Sequence, residues 1–201
     1  MQNIGPYIEH IFFSIPEFFR YMLVFITSVI EGMPVVGTFL PGGTIAVIVG
    51  GLSAEGFVNP IITVFIIAIG TFFGDMIGFL IGRKYKDTPW VKKLIFKEKH
   101  QKHWDLFDRH VALVVIFGKL LPVIRSTPSL FAAVRGVVIK KYIMYSAIGS
   151  LLWAVVGIYA GNILGKILGD NLMIFIICII GATVVYMFGK KVYSAIRRRI
   201  S

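Results

Sequence analysis

Long uninterrupted apolar runs dominate the pattern of the chain, and three of them are long enough to cross a lipid bilayer. They cover residues 59–82, 142–164 and 172–188, and Asp75 is the only charged residue within them. Because a bilayer-spanning helix needs roughly 20 mainly apolar residues, each run predicts a transmembrane helix. The third helix is expected over about 171–190, and a basic tail over 191–201 follows it.

The apolar pattern is broken at two places by segments that contain proline and glycine. At the first, residues 18–30 are apolar apart from Arg20, and residues 44–54 are apolar again. Between them lies EGMPVVGTFLPGG at 31–43, which contains two prolines and four glycines. These residues disfavour the interior of a helix, so the pattern predicts two short helical limbs with a break between them.

The second break lies in the segment 119–128, which contains Pro122 and Pro128 and separates the apolar residues 111–118 from 129–134. Each limb is too short to cross a bilayer. Non-helical backbone at membrane depth is tolerated only where protein or a water-filled cavity surrounds it. We therefore predict two re-entrant helical hairpins with broken tips.

Glycines spaced four residues apart mark the helix that follows each predicted hairpin. They are Gly70, Gly74, Gly78 and Gly82 in the first helix, and Gly157, Gly161, Gly165 and Gly169 in the second, where Gly149 lies in phase two steps earlier. Small residues at this spacing let another helix pack closely, although glycine is also common in membrane helices without any repeat. Because hairpin and glycine-spaced helix occur twice in the same order, we predict an inverted repeat. The repeats cover about 4–83 and about 88–165 of a single membrane domain, 1–201.

Positive charge is concentrated beside the apolar runs. Nine Lys or Arg and four acids lie within 83–110, and five Lys or Arg lie between Lys190 and the C-terminus. Cytoplasmic loops next to membrane helices carry such an excess, so the loop 83–110 and the C-terminus are expected in the cytoplasm. The two hairpins then open toward opposite faces of the membrane. Residues 4–15 and 90–107 are expected to form interfacial amphipathic helices.

The composition favours an all-α integral membrane protein. Apolar residues make up 57% of the chain and charged residues 15%, whereas soluble domains have roughly 45–50% and about 25%. The net charge of +11 has no nucleic-acid-binding motif beside it, so no nucleic acid is expected as a partner. No nucleophile elbow, P-loop or dinucleotide motif is present, so neither enzyme activity nor a cofactor is expected. His100 and His103 have no evident third ligand, so no metal site is expected.

Two acidic residues are expected inside the membrane. Glu31 lies at the first break, and Asp75 lies on the glycine-lined face of the first glycine-spaced helix. An isolated carboxylate there is unfavourable, so each should be protonated, paired or hydrated. Glu31 is predicted to act in proton coupling or in an ion pair, with a cap on the broken helix as the alternative. Asp75 is predicted either to bind a hairpin tip or to bind a proton.

Arg125 lies in the second break, six residues after Lys119. A guanidinium stays charged and binds phosphate through two parallel N–H groups. These two cations, with the backbone N–H groups of Ser126 and Thr127 at the start of the next limb, would suit a phosphate group. The alternative is a structural ion pair, in which Glu31 is the expected partner of Arg125.

Three segments together resemble the DedA family, also called the SNARE-associated Golgi protein or VTT-domain family. They are EGMPVVGTFLPGG at 31–43, FGDMIGFLIGR at 73–83, and LPVIRSTPSLFAAVRG within 117–153, before a helix of small residues that carries Trp153. The resemblance covers about 18–165. It implies two opposed re-entrant hairpins and the movement of a lipid, such as undecaprenyl phosphate or phosphatidylethanolamine, across the bacterial inner membrane, linked in some members to the proton motive force.

The resemblance also implies roles for single residues. The family's functional acid before the first break falls on Glu31, and its arginine in the second hairpin falls on Arg125. The chain departs from the family at two positions, because many members have an acid where Gly43 stands and arginine where Lys119 stands. The loss of the acid weakens any scheme with two coupling carboxylates, and a lysine cannot form a bidentate fork.

Three functional hypotheses follow. The first is a lipid translocase, or flippase, that moves a phosphate-bearing lipid, with protons as the candidate coupling ion. The second is a proton-coupled transporter of small soluble solutes. The third is a non-transporting membrane scaffold that recruits partners through the loop 83–110. The sequence also allows a homo-oligomer, because the glycine-lined faces could join helices within one chain or between chains.

Overall fold

A computed structural model of the chain describes residues 14–34, 44–88, 110–121, 125, 127–168 and 181. In these ranges the chain is helical and contains no β-strand. Numbered in chain order, the helices are α1 (Glu17–Gly32), α2 (Thr44–Ala54), α3 (Pro60–Tyr85), α4 (Val111–Phe117), α5 (Thr127–Val134) and α6 (Ile139–Leu168), with one 3-10 turn, Gly118–Leu120, after α4.

Two of these helices, α3 and α6, are long and apolar enough to cross a membrane. They confirm the helices predicted over 59–82 and 142–164. Compared with the prediction, α3 begins one residue later and ends three residues later, and α6 extends three residues further at its start and four at its end. At 1.5 Å per residue, their 26 and 30 residues correspond to lengths of about 39 and 45 Å. The predicted third helix, 171–190, lies outside the described residues except for Gly181.

The start and end of α3 follow from its terminal residues. The Asn59 side chain accepts hydrogen bonds from the backbone N–H groups of Ile61, at 2.9 Å, and Ile62, at 3.3 Å. Pro60 occupies the first helical position, where no backbone N–H is needed. Arg83 and Lys84 lie in the last turn, where a positive charge interacts favourably with the helix dipole.

The outward faces of α3 and α6 are covered with large exposed apolar side chains. On α3 these include Ile61, Phe65, Ile69, Phe73 and Leu80, and on α6 they include Ile148, Leu151, Val156, Ile163 and Ile167. Soluble proteins rarely expose continuous apolar surface of this extent. A lipid environment accounts for it, since lipid tails do not penalise exposed apolar groups.

Four shorter helices pack on α3 and α6 in two pairs. We name α1 and α2 the first pair and α4 and α5 the second pair. Their bounds agree with the predicted limbs to within two residues. The end of α1 and the start of α5 each differ by two residues, and α5 can begin at Thr127 because Pro128 is tolerated in the first turn of a helix.

In each pair, the beginning of the first helix lies close to the end of the second. Arg20, near the start of α1, donates a short hydrogen bond to the carbonyl of Phe57, just after α2. The Tyr21 hydroxyl accepts a hydrogen bond from the backbone N–H of Asn59 at 3.0 Å. In the second pair, Val111 and Val137 belong to the same apolar cluster. The two helices of the first pair therefore run in opposite directions, and the residues that flank the second pair pack on one shared cluster.

The glycine-lined faces of α3 and α6 allow backbone contact with the first and second pairs. A Cβ at Gly74 would lie 2.3 Å from the carbonyl oxygen of Val29 in α1, and one at Gly161 would lie 2.1 Å from that of Val47 in α2. Both distances are shorter than any real Cβ contact. Only glycine at these positions permits the observed helix separation.

Each long helix contacts one member of each pair. The first glycines of α3 pack on α1, and its last one, Gly82, packs on Ala133 in α5. Gly149 of α6 packs on Ile116 in α4, whereas Gly157 packs on Ala46 in α2. The predicted glycine-mediated packing thus occurs within one chain for these residues.

Two buried apolar clusters lie at different heights along α3 and α6. One contains Ile67 and Ala68 of α3 with Trp153 of α6, and the other contains Phe79 of α3 stacked on Tyr142 of α6, with ring centroids 4.2 Å apart. The polar residues of α3 and α6 that are described next lie between these two levels. The predicted interfacial helices, 4–15 and 90–107, lie outside the described residues apart from Ser14 and Ile15.

Candidate ion-pair site

Glu31 and Arg125 form a buried ion pair, although 94 residues separate them in the chain. Arg125 donates a hydrogen bond from Nη1 to Oε1 of Glu31 at 2.6 Å. The two side chains are only 2% and 4% exposed. Glu31 occupies the last turn of α1, and Gly32 beside it packs directly on the backbone of Thr71 in α3. The packing of α1 on α3 therefore fixes the position of the carboxylate.

The guanidinium of Arg125 also stacks on an aromatic ring. Its Cζ atom lies 4.4 Å from the centre of the Trp153 ring in α6. Its remaining nitrogens, Nε and Nη2, are buried and have no hydrogen-bond partner among the described residues. Nε and Nη2 lie on the same edge of the guanidinium, which is an edge that binds an oxyanion through two parallel hydrogen bonds.

Lys119 and Asp75 form a second buried ion pair between the 3-10 turn and α3. The Lys119 ammonium also donates to the carbonyl oxygen of Ser146 at 2.8 Å and to the Ser150 hydroxyl at 2.6 Å, both in α6. An ammonium has three N–H donors, and these contacts, with a further one to the Ser146 hydroxyl at 3.1 Å, engage all of them. Lys119 thus connects the 3-10 turn to both long helices.

Hydrogen bonds from α6 also bind Asp75. The Ser146 hydroxyl donates to Oδ2 of Asp75 at 3.1 Å, and the Tyr142 hydroxyl lies 3.5 Å from the Asp75 carbonyl oxygen. Asp75 thus contacts Lys119 at the second break and Ser146 in α6, and the two roles predicted for it stay predictions.

The two ion pairs contain two carboxylates and two cations, so their formal charges cancel. A buried charge is tolerated when a partner and hydrogen bonds replace its hydration, whereas removal of one partner typically costs about 3–5 kcal/mol. The described residues contain no group of three side chains that could bind a metal ion. The contacts that the four charged side chains make with one another and with α6 are ion pairs and hydrogen bonds.

The other residues predicted for a phosphate site have different outcomes. Thr127 is the first residue of α5, two residues after Arg125 in the chain. Ser126 lies outside the described residues. Lys119 was expected to face a phosphate together with Arg125, but its three donors are engaged by Asp75, Ser146 and Ser150. A phosphate could bind Lys119 only if these contacts break.

The sequence prediction missed three residues of α6 that contact the buried charges, namely Ser146, Ser150 and Trp153. Their spacing contains a signal, because they lie on the same helical face as Gly149 and Gly157. A polar or aromatic residue on a glycine-lined face points to a neighbouring helix rather than to lipid.

Long apolar helices with exposed apolar faces, together with buried ion pairs between them, define a helical membrane protein. Comparison with known families agrees with this class. Residues 40–163, which are more than half of the chain, match the VTT domain. The chain belongs to the VTT-domain family, and the resemblance drawn from its sequence is thereby confirmed.

The relatives of the chain include several bacterial membrane proteins. It is 26% identical to Protein DedA of Escherichia coli (strain K12) over 167 residues, covering 80% of this chain and 76% of that protein. It is 24% identical to the inner membrane protein YqjA of the same strain over 149 residues, covering 73% and 68%. The match to the membrane protein YbfM of Bacillus subtilis (strain 168) is 26% identical and covers 74% and 93%. No solved structure matches the chain.

Proposed function

We propose that the protein is a translocase, or flippase, that moves a phosphate-bearing lipid such as undecaprenyl phosphate or a phospholipid across the bacterial inner membrane. The observation that carries this proposal is the buried guanidinium of Arg125. Glu31 binds one of its nitrogens, whereas the Nε and Nη2 edge has no partner among the residues the structure describes. The names of two relatives, the inner membrane proteins YqjA and YghB, support the location.

In the proposed architecture the two helix pairs are re-entrant hairpins of an inverted repeat. The packing partners of the two long helices support this. From start to end, α3 packs on α1 and then on α5, and α6 packs on α4 and then on α2. A two-fold axis that relates α1–α3 to α4–α6 would produce this arrangement. The loop 83–110 and the C-terminus would then be cytoplasmic, in agreement with their positive charge.

In the proposed binding step, two phosphate oxygens accept hydrogen bonds from Nε and Nη2 of Arg125, while the lipid chains remain in the bilayer. The backbone N–H groups of Ser126 and Thr127 would supply further donors. Because Glu31 binds Nη1, it does not occupy the edge that the phosphate would use. The low dielectric of the membrane interior strengthens each of these contacts.

Glu31 is the proposed proton-coupling group. Its negative charge lies beside the guanidinium and would repel an incoming phosphate. Uptake of a proton by Glu31 would remove this repulsion and leave the charge of Arg125 for the phosphate. Release of the phosphate would follow when Glu31 loses the proton and its charge pairs with Arg125 again.

Access to Arg125 requires movement of the hairpins, because its side chain is almost completely buried. The Lys119–Asp75 pair is proposed to keep the second hairpin attached to α3 and α6 during this movement. The glycine contacts of α1 with α3 and of α2 with α6 would provide smooth surfaces along which the helices shift.

The proposal is tested by lipid transport in liposomes that contain the purified protein and a labelled phosphate-bearing lipid. We expect Arg125→Ala to abolish transport and Arg125→Lys to reduce it strongly, because an ammonium lacks the bidentate edge. Glu31→Gln should alter the dependence of flux on a pH gradient. The matched control is Arg83→Ala, an exposed arginine at the end of α3. Unchanged flux in both Arg125 variants would reject the proposal.

The two rival hypotheses predict different outcomes in related assays. A transporter of soluble solutes would exchange inorganic phosphate across the liposome membrane but leave the labelled lipid in its leaflet. A scaffold would show no transport of either kind, and replacement of the lysines in the loop 83–110 would then change its cellular role more than Arg125→Ala does.

A further inference from the structure

We infer that Trp153 binds the phosphate group directly, by donating its indole N–H to a phosphate oxygen while its ring face orients the guanidinium of Arg125. The inference rests on the proposed function, since it assigns a further binding residue to the same site. It concerns a phosphate monoester or free phosphate, because the recognition chemistry is the same for both.

The first observation is the stacking of Arg125 on Trp153. A guanidinium over an indole ring is attracted by the negative face of the ring, and the centre-to-Cζ distance of 4.4 Å lies within the range of this interaction. The stacking restrains the plane of the guanidinium. It therefore also restrains the direction in which Nε and Nη2 point, which is the requirement for bidentate binding.

The second observation is the buried N–H of the Trp153 indole. Nε1 has no hydrogen-bond partner among the residues that the structure describes, although the side chain is only 6% exposed. A buried tryptophan normally finds a partner for this group. Nε and Nη2 of Arg125 likewise have no partner there. Two side chains in direct contact thus carry three buried N–H donors without a partner among the described residues.

An anion is the kind of ligand that suits these three donors. All three are N–H groups, and neither an indole nor a guanidinium accepts hydrogen bonds. A ligand that satisfies them must present several acceptor oxygens at one place, as a terminal phosphate does. Phenylalanine would serve for packing and stacking alone, so the indole N–H is the group that distinguishes direct binding from a structural role.

The first experiment uses the intrinsic fluorescence of Trp153. The chain contains three tryptophans, and the double variant Trp90→Phe/Trp104→Phe leaves Trp153 as the only one. In detergent, we titrate this variant with dioctanoyl phosphatidic acid and, separately, with inorganic phosphate. We expect a saturable change in emission with at least one of them, and loss of that change when Arg125→Ala is added. An emission spectrum that neither ligand alters would overturn the inference.

The second experiment measures ligand affinity through the rise of the unfolding temperature with ligand concentration. Trp153→Phe retains an aromatic face but removes the N–H, and we expect roughly a tenfold or greater weakening of the apparent Kd, as for a hydrogen bond to a charged group. Tyr159→Phe is the matched control, because Tyr159 lies on the exposed face of the same helix. Its Kd should equal that of the wild type.

The outcomes separate this inference from the proposed function. If Arg125→Ala abolishes binding but Trp153→Phe binds as the wild type does, the phosphate site stands and the role of Trp153 is wrong. If neither substitution changes binding, the inference fails together with the proposed site. If Trp153→Phe lowers affinity for the lipid but not for inorganic phosphate, Trp153 contacts the phosphate only of a lipid.

Discussion

At the scale of single residues, the two buried cations differ in how completely their hydrogen bonds are satisfied. The ammonium of Lys119 uses all three donors, whereas the guanidinium of Arg125 has two nitrogens without a partner among the described residues. A buried donor without a partner typically costs about 1–3 kcal/mol. The donors of Lys119 are thus fully engaged, whereas Arg125 retains the two N–H groups on which the proposed phosphate site depends.

This difference predicts that the Lys119–Asp75 pair is the more important of the two for stability. Asp75→Asn leaves the Lys119 charge buried without a counter-charge, and we expect a loss of about 3–5 kcal/mol in the free energy of unfolding. Thermal or denaturant unfolding in detergent measures this loss. The double variant Asp75→Leu/Lys119→Met, which removes both charges, should recover part of it.

The control for that prediction is Asp87→Asn, which alters an exposed acid just after α3. A surface substitution of this kind should change stability by less than about 0.5 kcal/mol. Equal effects at Asp75 and Asp87 would show that the buried pair contributes nothing.

The sequence singles out the charged residues of the site but not their neutral partners. Glu31, Asp75 and Arg125 are conspicuous because a charge inside an apolar run needs an explanation. Serine and tryptophan are ordinary residues of membrane helices. The position of Ser150 and Trp153 on the glycine-lined face therefore indicates that they meet a neighbouring helix, but not which charge they contact. The hydrogen bonds and the ion pair of Lys119 likewise could not be predicted, because they join residues that are 27 to 44 positions apart in the chain.

At the scale of secondary-structure elements, glycine spacing decides how the helices approach one another. The helix bounds were predictable to within a few residues, since proline and glycine breaks are local signals. Which helix packs on which glycine was not predictable, because a glycine-lined face accepts any helix of suitable shape. The structure resolves this by pairing α3 with α1 and α5, and α6 with α4 and α2.

We predict that added methyl groups on these faces destabilise the protein. Gly161→Ala would place Cβ 2.1 Å from the Val47 carbonyl oxygen, and relief of such overpacking typically costs about 1–3 kcal/mol. Gly181→Ala is the matched control, because no described atom lies within 4 Å of a Cβ there. Unfolding temperatures in detergent compare the two. Equal stability of both variants would contradict the close approach of α2 and α6.

At the scale of the whole molecule, the end of α1 and the 3-10 turn after α4 contribute charged residues to a polar layer between two apolar clusters. Glu31 from the first pair and Lys119 beside the second lie at the same level of the long helices as Thr71, Asp75 and Ser150. Buried apolar residues of the described ranges lie on either side of this polar layer. In the proposed transport cycle, a phosphate that approaches the layer along α3 and α6 would have to separate these apolar contacts first.

The orientation of the molecule gives a further prediction, which tests whether α3 crosses the membrane. Glu55 and Lys86 are exposed and lie beyond opposite ends of α3. In a Cys178→Ser background, we expect a membrane-impermeant thiol reagent to label Glu55→Cys in intact cells and Lys86→Cys only after the membrane is opened. The positive charge after Arg83 is the physical reason for expecting this orientation. Labelling of both cysteines from the same side would exclude a transmembrane α3.

The cancellation of the four buried charges has a consequence for the response to membrane voltage. Movement of one elementary charge through 100 mV changes the free energy by about 2.3 kcal/mol, so an empty carrier with balanced charges would return at a rate that voltage does not alter. A bound phosphate with one negative charge would give the loaded carrier a net charge, so its movement would depend on the membrane potential. One proton on Glu31 would restore neutrality, and the cycle would then respond to the pH difference across the membrane but not to its electrical potential.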